Sequence, residues 1–101
     1  MQVLRCSDGA CLRTIGSYGS GACQFNRPRG VAFDCAGHII VADAGNHRVQ
    51  VLRYSDGSHV RTIGSRGSEN GQFNFPWSVL IDGQGRIIVS EYANHRIQVL
   101  Q

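Results

Sequence analysis

The stretch GNHRVQVLRYSDG, residues 45–57, returns as ANHRIQVLQ at residues 93–101, and its centre QVLR also stands at residues 2–5. Setting Gln2 against Gln50 and Gln50 against Gln98 gives the same 48-residue offset twice. Residues 2–49 then align with 50–97 without a gap, and 27 of the 48 pairs are identical. The 101-residue chain is therefore at most one small domain, built of repeat one (2–49), repeat two (50–97) and the start of a third (98–101). A period of this length points to propellers or solenoids before other architectures.

Four strand-like runs lie in each unit. GVAFD (30–34) is echoed by SVLID (78–82), and HIIVAD (38–43) by RIIVSE (86–91). HRVQVLRY (47–54) is echoed by HRIQVLQ (95–101), and HVRTIG (59–64) matches CLRTIG (11–16). No sustained 3.6-residue apolar period is present, so no helices are expected. The turns are DCAG and DGQG between runs one and two, and SDGA and SDGS between runs three and four. Asp-Gly between apolar runs is a hairpin signal, because Gly adopts positive φ freely. The expected fold is all-β: two four-stranded antiparallel meanders forming the blades of an incomplete β-propeller.

Runs one and two are almost continuously apolar (Val31, Ala32, Phe33; Ile39, Ile40, Val41, Ala42), which predicts sheets covered on both faces. Runs three and four alternate more, as outer strands meeting water would. A single sandwich of two sheets is the structural rival. It buries one face per sheet and would require alternation in the inner runs.

Composition narrows the classes. Apolar content is 42%, which excludes a disordered tail. No apolar run approaches the ~18 residues of a membrane span, and MQVLRCSDGACL has no signal-peptide pattern. An intracellular, cytoplasmic setting or a piece of something longer is the expectation. The charge is a mild +3, with 10 Arg and no Lys. The cysteines Cys6, Cys11, Cys23 and Cys35 contain no C-x2-C pair and do not recur: their counterparts are Tyr54, His59, Gly71 and Gly83. A zinc site is not expected. Free thiols are, with one Cys6–Cys11 hairpin disulfide left open.

CQFNRPRGVAFDCAGHIIVADAGNHRVQVL (23–52) resembles the NHL repeat almost throughout, and GQFNFPWSVLIDGQGRIIVSEYANHRIQVL (71–100) resembles it with changes. In the second copy Gly30 becomes Ser78, Asp43 becomes Glu91 and Gly45 becomes Ala93. The resemblance implies a β-propeller, most often six-bladed. Such propellers serve several unrelated roles, among them protein and single-stranded RNA binding. Two blades cannot close a ring, so the chain reads either as a fragment of a larger propeller or as a self-assembling unit. Further NHL blades are implied as neighbours, in cis or in trans, and a homotrimer would supply six.

In a meander the 4–1 loops (16–28 and 64–76) and the 2–3 loops (43–47 and 91–95) share one face. That face collects Tyr18, Arg27, Arg29, Arg66, Phe75, Trp77 and Tyr92, the candidate binding residues. Arg29 and Trp77 are repeat equivalents, as are Arg27 and Phe75. These positions change while the frame around them stays fixed, as a recognition surface requires. Set against this, Trp77 is equally read as a plug between blades, and Phe25 and Phe73 as core anchors of the loops. Asn46–His47–Arg48 and Asn94–His95–Arg96 recur strictly, which favours a structural role in the 2–3 hairpin. Asp8, Asp34, Asp56 and Asp82 are turn residues of the opposite face.

No Ser–His–Asp arrangement, H-x-x-x-H pair or phosphate loop is visible. The expectation is a non-catalytic scaffold without metal or cofactor, recognising a protein or single-stranded RNA. Two alternatives stand beside it. One is part of a metal-dependent lyase or hydrolase propeller, which the apolar channel-lining strand opposes. The other is a purely structural ring-forming repeat.

Overall fold

The computed structural model describes residues 1–5 and 7–101. Along the chain come β1 (Gln2–Leu4) and β2 (Cys11–Thr14), then β3 (Ser17–Tyr18) and β4 (Gln24–Phe25). A four-stranded set follows: β5 (Pro28–Phe33), β6 (His38–Asp43), β7 (Arg48–Arg53) and β8 (His59–Ile63). The chain continues with β9 (Pro76–Ile81), β10 (Ile87–Glu91) and β11 (Arg96–Leu100). Strands β5–β8 form one antiparallel meander in sequence order, β9–β11 a second, and β1–β2 a hairpin. Between β6 and β7 lies one 3-10 turn, Ala44–Asn46, and no α-helix occurs among the described residues. None of the described helical segments is long and apolar enough to cross a membrane.

The turn chemistry is local. Asp34 accepts the amides of Ala36 and His38, and Asp82 those of Gln84 and Arg86, all at 2.9 Å. Asp56 accepts the Ser58 amide at 3.0 Å, and Gly57 beside it takes φ 73°. These carboxylates shape hairpins on the face opposite the long loops, as the sequence suggests.

Because side chains alternate along a strand, each blade has two faces. One face of β5–β8 contributes Ile40, Ala42, Val49 and Val51 to a buried cluster with Phe73, Val79, Ile87 and Val89 of the second blade. The other face contributes Ile39, Val41 and Leu52 to a cluster with Ile15 and Phe25, against which Met1 and Val3 pack. β6 is thus buried on both sides from Ile39 to Asp43, which a two-sheet sandwich does not allow. Each fully buried aliphatic side chain in these clusters stabilises the fold by about 1.5–3 kcal/mol.

β5 departs from the expectation of cover on both faces. Val31 and Phe33 are 51% and 59% exposed, because β1–β2 cover only the outer half of that side. The second blade is bare on its far face, where Leu80, Ile97 and Val99 are 62%, 69% and 58% exposed. The sheets form an open arc, a partial propeller with apolar surface at both ends. Blades approach closely at their inner strands: a Cβ on Gly30 would lie 3.0 Å from the Ser78 Cα and 3.1 Å from the Trp77 carbonyl.

A short parallel pair, β3 with β4, lies inside the first 4–1 loop, and an Arg66–Phe73 bridge repeats it in the second. Neither is visible as a strand pattern in the sequence. Cys11, Cys23 and Cys35 carry free thiols. Cys6, the other half of the open hairpin disulfide, lies outside the described residues.

Candidate binding face

The long loops are held by a buried polar network at the end of β6. Asp43 has no exposed surface. It accepts the Asn26 amide at 2.8 Å, Asn46 Nδ2 at 3.0 Å, Arg48 Nε at 2.8 Å and Gln50 Nε2 at 3.2 Å. Arg48 then donates to the carbonyls of Ser20, Gly21 and Gln24, at 2.8–2.9 Å. Asn46 reaches the Gly19 carbonyl and Gln50 the Gln24 carbonyl. A buried charge is tolerable only when paired and hydrogen-bonded, and here every carboxylate partner is a donor.

The second repeat rebuilds the network around a longer acid. Glu91 accepts from Asn74 N–H, Asn94, Arg96 and Gln98, and Arg96 donates to Ser68, Glu69 and Gln72. Burial pushes the Glu91 carboxyl up, but the bonds from Arg96, Gln98, Asn94 and the Asn74 amide outweigh it and hold its pKa below the ordinary value. The recurrent Asn and Arg thus do more than shape the 2–3 hairpin: they clamp the 4–1 loop. Asp43 and Glu91 lie on the loop face, yet both are buried and paired with arginine. The available signal was Gln50 and Gln98, identical polar residues within apolar strands.

His47 ties the two blades together. It sits at φ 54°, its Nδ1 accepts the Phe75 amide at 3.0 Å, and its ring meets the Phe75 ring edge-on at 5.1 Å. Burial, and then the nearby Arg66 charge, lower its pKa and favour the neutral ring that this bond requires. Phe75 itself has φ 55°, and its counterpart Arg27 has φ 52°. Left-handed backbone at non-glycine positions costs about 1–3 kcal/mol each and persists where surrounding bonds impose it.

Six of the seven candidate residues gather on this scaffold in two groups of three. Tyr18, Arg27 and Phe75 line a shallow groove with Asn26 and Gly45. Tyr18 is 81% exposed, a large aromatic held out in solvent. In the second group the Arg29 guanidinium lies 3.7 Å from the Trp77 ring centre, and Trp77 stacks on Tyr92 at 5.4 Å with the planes 30° apart. Trp77 bridges the blades through Arg29 and still leaves 42% of its surface open. Its open side borders a second depression lined by Ser90, Glu91, Tyr92 and His95. Arg66 stands beside His47, close enough to act on its titration. Phe25 and Phe73 are buried anchors. Among the described residues no three His, Cys, Asp or Glu side chains cluster in a way that could hold a metal ion.

Two-faced meanders packed side by side in an arc, each with its loop clamped to one rim, define β-propeller blades. The NHL repeat profile matches residues 25–52 and 73–100, and the chain belongs to the NHL repeat family. Comparison with curated proteins gave no match. NHL repeats build interaction scaffolds of the β-propeller type.

Proposed function

We propose that this chain is a non-catalytic binding scaffold whose loop face, in an arc continued by further NHL blades, recognises a protein or single-stranded RNA. The observation that carries the reading is the Arg29–Trp77–Tyr92 stack, which spans two blades at positions where the repeats differ. An open aromatic face beside guanidinium groups suits a nucleobase, a peptide aromatic or an arginine.

Charge favours an anionic partner. With Asp43 and Glu91 neutralised by Arg48 and Arg96, the loop face keeps Arg27, Arg29 and Arg66 against Glu69. The partner is therefore single-stranded RNA or an acidic protein segment.

Titration with single-stranded RNA at increasing salt tests the reading. RNA binding through this face gives an affinity that falls with salt, and Trp77→Ala weakens it by about 1–3 kcal/mol if a base stacks there. Absence of any salt-sensitive affinity removes RNA and leaves the protein partner. Full binding of an identified partner by the Arg29→Ala, Trp77→Ala double variant overturns the face itself.

A further inference from the structure

We propose that the chain docks head to tail on a second copy of itself by strand exchange. β11 of one copy replaces β1 beside β2 of the next, and β9–β11 of the first with β2 of the second complete a four-stranded blade. The occupant of the bare sheet face is thus another molecule of this chain.

The repeat dictates the fit. The interface already present between the blades sets Ala32, Ile40, Val49 and Val51 against Val79, Ile81, Ile87 and Val89. Moving the first set forward one repeat gives Leu80, Ile88, Ile97 and Val99, the far face of the second blade, where Leu80, Ile97 and Val99 are bare. Moving the second set back gives Val31, Phe33, Ile39 and Val41, the near face of the first blade, where Val31 and Phe33 are bare. The two ends of the arc therefore carry the two halves of one interface.

On the near face, Met1 and Val3 pack against the Ile39–Val41–Leu52 cluster. By the repeat they stand for Val49 and Val51, and hence also for Ile97 and Val99. β1 and residues 98–100 share the sequence QVL, so the incoming strand offers the same residues to the same site. β1 is the weaker holder of that site. It has three residues, one neighbour and a register shift between Val3 and Leu4. β11 has five residues on β10, and Gln98 anchors it to the Gln72 carbonyl and to Glu91 at 2.8 Å each. When both compete, β11 stays and β1 leaves.

The loop rim offers a third match. His47 accepts the Phe75 amide between blades, and their counterparts across the new contact are His95 of one copy and the Arg27 amide of the next. Both already hold the left-handed backbone of the internal pair, at φ 51° and 52°. Ser78 and Leu80 replace the smaller Gly30 and Ala32, so the inner strands of the two copies stand farther apart than β5 and β9. The exchanged outer strand then carries more of the contact. A heterologous contact of this kind repeats until a ring closes.

The pairing of β7 with β8 sets Leu52 opposite His59. By the repeat, Leu100 of one copy falls opposite Cys11 of the next, a free and exposed thiol. Cross-strand neighbours lie about 4.5–5.5 Å apart, within disulfide reach. The test is to oxidise Leu100→Cys and map the disulfides, with the same variant carrying Cys11→Ser as control. The expected product joins the introduced thiol to Cys11 of another molecule and disappears in the control; linkage to another cysteine, or none, overturns the exchange.

Sedimentation over a concentration series gives a second readout on folded protein. Phe33→Asp and Ile97→Asp, both at exposed positions, each abolish self-association. An equimolar mixture of the two restores a 1:1 dimer, because each variant keeps one working face. A wild-type monomer at every concentration, or variants that do not complement, sinks the proposal.

Discussion

The first blade and the second are near copies, yet they live in different solvents. Val49 and Val51 are 0% and 4% exposed; their counterparts Ile97 and Val99 are 69% and 58% exposed. The side chains are equally apolar and the strands pair alike. What differs is the neighbour: β9 lies over this face of the first blade, and none of the described residues lies over the corresponding face of the second. Burial in a stacked-repeat fold is thus a property of the junction rather than of the unit. The polar networks behave the other way. Asp43 and Glu91 are both buried and fully bonded, because each draws its partners from its own blade and the loop that leads into it.

The sharpest way to break this comparison is at the networks. Asp43→Ala leaves Arg48 without its buried counter-charge and is expected to cost about 4 kcal/mol. Glu91→Ala is expected to cost less, because the Arg96 side chain is 26% exposed against 13% for Arg48 and recovers water more readily. Denaturant unfolding of the two variants measures the difference.

Core truncation comes next. Ile40→Ala, at 1% exposure, is expected to lose about 3 kcal/mol. Ile97→Ala is expected to stay within about 0.5 kcal/mol in dilute solution. Equal losses would mean that the far face is covered.

The inner strands give a smaller contrast. Gly30→Val drives methyl groups into the Ser78 backbone and is expected to cost about 1–3 kcal/mol. Ser78→Val points at the bare face and is expected to be close to neutral. Thermal unfolding of the pair checks this.

Acid has the mildest effect, in two steps. The His47 pKa is lowered from its ordinary 6.5, so its contribution is complete above that value and declines as pH falls below it, loosening the Phe75 contact between blades. The Glu91 pKa is lowered from its ordinary 4.5, so its contribution survives until the pH falls below that value. Unfolding measured from pH 8 to pH 4 should show the first step in wild type and lose it in His47→Asn, at unchanged slope near the acid end.

The meanders were legible because they rest on local signals: Asp-Gly turns at Asp8 and Asp56, and apolar runs such as Ile39–Ala42. Repetition supplied the rest of the architecture, since 48 aligned positions fix every strand twice. The exposure of Val31 and Phe33 was not written in their own residues, which match the buried Val79 in character. The clamp was half legible. Recurrence marked Asn46 and Arg48 as structural, but their partners are backbone carbonyls of Gly19, Ser20, Gly21 and Gln24, which have no sequence signature. The stack of Arg29 on Trp77 joins equivalent positions of adjacent repeats, a proximity that only the packing of β5 against β9 creates.

Arg48 and Arg96 reach only into the loop that precedes their own sheet. The tip of each loop, residues 19–24 and 67–72, is thereby hung from the blade it introduces. That tip can lengthen, change charge or acquire an aromatic without unsettling an adjoining unit. Such a cassette can be diversified one rim segment at a time, and at the tip Gly21 and Glu69 already differ on an unchanged bracket.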